Sequence, residues 1–247
     1  TATDTPLPPT ETPRPAQSKP FGPFDWPPAP GYSYTLTRLG NSLAQLEAAR
    51  ANGVKAFVAL TGGKSGYTDA QGCFSLQMWK NRLDANNLAA IQPHVDDGTI
   101  LGLYAIDEPH DWGNSCGPTL AQLDAVCEYA HQRLPGIACG FNTSPAWLAP
   151  GAPYAHLDYL FTQTNFIRTS DWSAWATQQA NDAAWFEGPL YLSINAYTSS
   201  PTAIQVRDAA IALCRHPASA GVMMWKWSYV SGWTEQLRPA AEACVEP

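Results

Sequence analysis

In the stretch TILGLYAIDEPHDW, Thr99 to Trp112, an apolar run ends abruptly in Asp107 and Glu108, with Pro109, His110 and Asp111 behind them. Neighbouring carboxyls compete for protons, so one can keep its proton for a leaving oxygen while the other carries charge beside it. Two carboxylates at the end of one buried run are costly without such a task. The plain alternative is a structural ion pair of Glu108 with Lys226 or Lys64. Another reading takes Asp107, His110 and Asp111 as the ligands of a metal-dependent hydrolase. The patterns H-x-H and H-E-x-x-H are both absent, however, and His110 and Asp111 read equally well as loop and helix-start contacts. There is no G-x-S-x-G elbow for a serine nucleophile, and TGGKSG, from Thr61 to Gly66, matches neither glycine-rich phosphate motif. No cofactor and no resident metal are expected.

The carboxylates need a scaffold, and the chain around them alternates. Leu36, Leu39, Leu43 and Leu46 recur at helical spacing up to the stop signal Asn52-Gly53, and VKAFVALTGG follows as a strand. Residues 74–97 predict two helices before the strand TILGLYAI. Leu120, Leu123, Cys127, Ala130 and Leu134 make an amphipathic helix ended by Pro135-Gly136, and IACGFN is again a strand. LDYLFTQT and PLYLSINAY predict two more, with a helix from Asp171 to Phe186 between them. A helix carrying Val206, Ala210, Leu213 and Cys214 leads into the strand GVMMWKW, and a short helix closes the chain over Thr234 to Ala243. Near-continuous apolar strands separated by helices indicate parallel strands covered on both faces. The expected class is α/β, a (β/α)8 TIM-type barrel. Six strands are clear and a weaker seventh lies at FGPFDW, so the expectation extends to an incomplete or irregular barrel. The competing doubly wound sheet lacks its phosphate-binding signature after the first strand.

In either arrangement chemistry gathers at the C-terminal ends of the strands. Those positions hold Thr61 and Lys64, Asp107 and Glu108, Asn142, Gln163 and Asn165, Asn195 and Tyr197, then Trp225, Lys226 and Trp227. Asp25 and Trp26 join them if the first strand is real. Amides and carboxylates pair with sugar hydroxyls, and flat aromatic faces take the apolar faces of pyranose rings. The candidate catalytic pair is therefore Glu108 and Asp107, and the candidate sugar-binding residues are Asp25, Asn142, Gln163, Asn195, Tyr197, Trp225 and Lys226. For each aromatic, packing in the core is an equal alternative.

Composition bounds the rest. With 247 residues, 45% hydrophobic, one sizeable core is affordable, and the net charge of −7 without a basic stripe speaks against nucleic acid and anionic membranes as partners. A neutral or cationic ligand fits that balance better, a carbohydrate is the expected partner, and a monomer is the favoured state. Ten of the 22 prolines fall within residues 1–30, which read as an extended linker ahead of a single barrel domain over residues 31–247. No run of 18 apolar residues spans a bilayer, and six cysteines without a C-x-x-C pair read as disulfides of a secreted or surface-tethered protein, with buried thiols as the alternative for some of them. Six cysteines allow 15 connectivities. Pairing in chain order would join Cys73 to Cys116, Cys127 to Cys139 and Cys214 to Cys244.

Asp107-Glu108-Pro109 at a strand end resembles the acid/base signature of (β/α)8 glycoside hydrolases, whose large retaining clan closes its fourth strand with Asn-Glu-Pro. The resemblance implies Glu108 as proton donor. It departs from the clan in having Asp107 in place of Asn, and no Glu ends the late strands LYLSINAY and MMWKWSYV, where the clan's nucleophile would sit. The Asp-Glu pair is also similar to that of β-N-acetylhexosaminidase-type barrels. There the Glu is the acid, and the Asp orients the substrate's own 2-acetamido group as nucleophile, so no second carboxylate is needed. The implied function is a glycosidase, substrate-assisted on 2-acetamido sugars. A non-catalytic carbohydrate-binding barrel, with Asp107 and Glu108 as hydrogen-bond acceptors, is the reading from another class.

Overall fold

A computed structural model of the chain describes residues 19–24, 34–37, 43–112, 116–196, 201–225 and 233–245. Its centre is a sheet of eight strands: β1 (Phe21–Pro23), β2 (Tyr34–Thr37), β3 (Lys55–Val58), β4 (Ile100–Asp107), β5 (Cys139–Asn142), β6 (Tyr159–Asn165), β7 (Leu190–Asn195) and β8 (Gly221–Trp225). Every ladder is parallel, and the spatial order is β1-β8-β7-β6-β5-β4-β3-β2. β1 and β2 lie side by side and bring the sheet round on itself, but among the described residues no hydrogen-bonded ladder joins them. The result is a TIM-type barrel left incomplete at one seam, as the alternation of elements predicts.

Two elements differ from the sequence reading. The weak strand at FGPFDW is real, for Phe21, Gly22 and Pro23 pair with Val222, Met223 and Met224 of β8. The helix expected from Leu36 begins only at Ala44, as α1 (Ala44–Ala51). Residues 34–37 run as β2, with Tyr34 to Thr37 in register with Lys55 to Val58. Tyr-Thr-Leu-Thr is rich in the aromatic and β-branched residues that strands favour, and the periodic leucines masked this.

Helices α2 (Leu76–Asp84), α3 (Leu88–Asp96), α4 (Leu120–Arg133), the short α5 (Pro145–Leu148), α6 (Trp172–Asp182), α7 (Ala203–Arg215) and α8 (Trp233–Val245) complete the described secondary structure, with two short 3-10 turns. Their starts follow local chemistry. Ser75 caps α2 and Asp171 caps α6, while Thr119 with Gln122 and Thr202 with Gln205 form capping boxes on α4 and α7. Three disulfides join Cys73 to Cys116, Cys127 to Cys139 and Cys214 to Cys244, the chain-order pairing. Among the described residues no helix is long and apolar enough to cross a membrane.

Strand alternation sorts the core into two regions. Outward-facing residues such as Leu103, Leu160, Leu192 and Val222 pack under the helices. Inward-facing Phe24, Phe57, Tyr104, Tyr159, Phe161 and Met223 fill the barrel. The interior is thus largely aromatic, with Phe57 within 4.9–5.0 Å, ring centre to ring centre, of Tyr159, Phe161 and Tyr191. Such rings fit only where neighbours are small. A Cβ at Gly140 would lie 2.3 Å from the Tyr159 carbonyl oxygen and 2.5 Å from its ring, and one at Gly102 would lie 2.5 Å from the same ring. Gly140→Ala is expected to destabilise the barrel by roughly 1–3 kcal/mol, measured as a lowered thermal midpoint. Gly63→Ala, where a Cβ meets nothing within 4 Å, should be nearly neutral.

Candidate functional site

Asp107 and Glu108 are consecutive, and a regular strand would send them to opposite faces. Two local departures bring both to the mouth of the barrel. The first is a bulge in β4, where Tyr104 pairs with Gly140 but Ile106 pairs with Phe141, so two residues advance against one. Ala105 and Ile106 consequently both pack outward under the helices. Tyr104 and Asp107, three apart, meet on the inner side: the Tyr104 hydroxyl donates to Asp107 Oδ1 at 2.6 Å. A bulge leaves a backbone group outside the ladder, and the Ala105 carbonyl accepts from Trp79 Nε1 at 3.0 Å and from Thr61 Oγ1 at 3.4 Å.

The second departure is at Glu108, whose φ of 44° makes it the one non-glycine residue in the left-handed region among those described. Its N–H donates to the Asn142 carbonyl at 2.8 Å, and its own carbonyl accepts from Asp111 N–H at 3.0 Å. The turn lets the Glu108 carboxylate cross the mouth to β6, where Gln163 Nε2 donates to Oε1 at 2.6 Å. Asp107 Oδ1 also accepts from Asn142 Nδ2 at 3.0 Å. Tyr104 is buried, and burial first, then the charge of Asp107, pushes its phenol well above the usual range. It therefore stays protonated as a donor to Asp107.

The cavity at this mouth has a volume of about 450 Å³ and runs from Glu108 and His110 across Asn142, Gln163 and Asn195 to Arg168 and Trp175 beyond β6. Two acceptors in it are buried without a protein partner, Asn142 Oδ1 and Gln163 Oε1. Of the residues singled out in the sequence, Glu108, Asn142, Gln163 and Asn195 line the cavity, while Asp107 sits beside it, tied to Tyr104 and Asn142. Trp225 is brought elsewhere. Its ring stacks on Phe24 at 3.5 Å inside the barrel, the packing role that was the alternative for each aromatic. Asp25, Tyr197 and Lys226 lie outside the described residues, as do Trp26 and Trp227.

Of the competing readings of the carboxylates, the pairing with Lys226 falls outside the described residues, and the geometry does not favour the other two. Lys64 donates to the Asp111 carbonyl and lies over the Trp112 ring, so it is engaged away from Glu108. Asp107, His110 and Asp111 do not converge as metal ligands, for among the described residues no group of three His, Cys, Asp or Glu does. His110 instead pairs through Nδ1 with Thr143 Oγ1 at 2.8 Å. Sequence reasoning did not single out Tyr104, Thr143, Arg168, Trp175 or Gln179. A regular strand places Tyr104 on the face opposite Asp107, and the others sit past a strand end or on a helix.

No protein-family model and no curated protein sequence matches the chain. Solved structures share its fold. The catalytic domain of the major endoglucanase from Xanthomonas campestris pv. campestris is similar with a TM-score of 0.58 at 11% identity, over 87% of this chain and 84% of that one. An endo-β-N-acetylglucosaminidase from Cordyceps militaris gives 0.55 at 13% identity, over 93% and 92%. A psychrophilic glycoside hydrolase family 10 endo-β-1,4-xylanase gives 0.55 at 11%, over 90% and 96%. These neighbours are TIM-barrel glycoside hydrolases, and identities this low establish a shared TIM-type fold alone.

A left-handed conformation costs a non-glycine residue roughly 1–2 kcal/mol, and Asn tolerates it better than Glu or Gln. Glu108→Asn is expected to melt higher than Glu108→Gln, by roughly 2–4 °C in a chain of this size. Equal melting temperatures would show that the turn at Glu108 carries no strain.

Proposed function

We propose that the protein is a glycoside hydrolase acting outside the cell on an oligo- or polysaccharide, with Glu108 as general acid and Asp107 as its partner. The observation that carries this reading is Glu108 itself. It is the only carboxylate lining the cavity among the described residues, and it is held there at a strained backbone position. Strain of this kind persists where the surrounding structure enforces it, and it clusters at functional sites. The amide of Gln163 fixes Oε1 and leaves Oε2 to hold the proton. Three disulfides suit an oxidising compartment.

A cavity with one carboxylate suits a substrate that brings its own nucleophile. Glu108 gives its proton to the glycosidic oxygen as the C1–O bond breaks, and the carbonyl oxygen of a 2-acetamido group bonds to C1 to form a cyclic oxazolinium. Water then attacks C1, gives its proton back to Glu108 and reopens the ring, so the sum is hydrolysis. Asp107 supplies negative charge beside this site. Through Oδ1 it also holds the Asn142 amide, which orders the cavity wall beside Glu108.

The test is hydrolysis of chromogenic glycosides and oligosaccharides with and without a 2-acetamido group. Turnover is expected on acetamido sugars only, falling by roughly 10²–10⁴ in Glu108→Gln while sugar binding persists. Undiminished hydrolysis by that variant would remove Glu108 from the mechanism. Equal turnover of plain glycosides would overturn the substrate-assisted route and require a second carboxylate, Asp25 or Asp111. Binding without turnover on any substrate would leave a carbohydrate-binding barrel.

A further inference from the structure

Part of the cavity lining is not used by the proposed chemistry. It comprises Asn165 at the end of β6, Arg168 on the following turn, and Trp175 and Gln179 on α6. Arg168 is the one arginine among the described residues that lines this cavity. Arg50 pairs with Glu47 and Asp97, Arg133 with Asp84 and Arg207 with Asp208, while Arg82 donates to the Gly66 carbonyl. The Arg168 guanidinium meets no carboxylate among the described residues, and only its backbone N–H is bonded, to Asn165. The turn that carries it is firmly built, with Asn165 Oδ1 accepting from both Ile167 N–H and Arg168 N–H at 3.0 Å.

An exposed guanidinium that lines the same cavity as an aromatic ring suits a ring that carries a negative charge. We infer that this part of the cavity is a subsite for an anionic sugar unit, with the ring against Trp175 and its carboxylate against Arg168. The guanidinium fork matches a planar carboxylate in two parallel hydrogen bonds, which favours a uronate over a sulfate ester. The net charge of −7 gives an anion no long-range attraction, so the discrimination comes from contact at Arg168. Combined with the reading of Glu108, on which this part rests, the substrate class becomes a glycan in which a uronate neighbours a 2-acetamido sugar.

The experiment measures binding by calorimetry to Glu108→Gln, so that turnover does not intervene. The probes are an oligosaccharide of alternating uronate and 2-acetamido units, its carboxyl-reduced counterpart, and a neutral oligosaccharide bearing sulfate esters. The uronate form is expected to bind roughly ten- to a hundredfold more tightly than the reduced form, the worth of a charge-assisted pair. Adding Arg168→Gln should erase that difference and leave binding of the reduced form unchanged, an outcome that misfolding cannot mimic. Equal binding of uronate and reduced forms would overturn the subsite, and tighter binding of the sulfated probe would overturn its assignment to a carboxylate. Loss of the Glu108 assignment is read separately, from hydrolysis by the otherwise unaltered protein. That assignment can fail while the Arg168-dependent preference stands, and the reverse is equally distinguishable.

Discussion

Strand alternation is the constraint against which this site is built. A β-strand that points Asp107 into the barrel mouth points its neighbour away, and both departures that defeat this rule lie within five residues. The bulge between Tyr104 and Ile106 resets the phase of β4, and the left-handed turn at Glu108 folds the next side chain back over the opening. Each departure is braced from outside the strand. Trp79, fully buried on α2, and Thr61 take up the Ala105 carbonyl at the bulge, and Asn142 on β5 receives the Glu108 N–H. The site therefore depends on contacts from α2, the end of β3 and β5 as much as on β4.

The floor beneath the carboxylates is apolar and aromatic, and Tyr104 is where the two regimes meet. Its ring belongs to the interior cluster and its hydroxyl to Asp107. A carboxylate over such a floor needs donors, and Tyr104 and Asn142 supply two to one oxygen. On the outer side, the loop behind Glu108 is held down by the Cys73–Cys116 disulfide and by Trp112 Nε1 donating to the Gly72 carbonyl at 3.1 Å. Glu108 is thus carried on a fastened loop, which limits how far its side chain can reorganise.

Much of the barrel was legible because apolar strands such as TILGLYAI and LDYLFTQT are separated by helices whose caps and stops are written locally. β2 was hidden by leucines that continue a helical spacing into a strand, a case where pairing with β3 overrides a local pattern. At the site, the strand-end rule found Glu108, Asn142, Gln163 and Asn195 together. It missed Tyr104, because a bulge inside an unbroken apolar run leaves no trace in residue types. It missed Arg168 and Trp175, because they are placed by a turn and a helix face, beyond the strand ends where the search was made. Trp225 was read at the end of its strand as a candidate sugar-binding residue, but whether such a tryptophan meets ligand or packing depends on its cross-strand neighbour, and here that neighbour is Phe24.

The seam between β1 and β2 has a mechanical side. Lys19 Nζ donates to the carbonyls of Cys214 and His216 at the end of α7, and Lys19 N–H donates to the carbonyl of Cys244 in α8. β1 then pairs with β8, and Cys214–Cys244 staples the two helices behind it. A load entering the chain at Lys19 would thus be carried by the last βα unit, in shear along β8 and across a covalent staple. The path of that load bypasses the unladdered seam and stays on the far side of the barrel from β4, so it does not pull on Glu108.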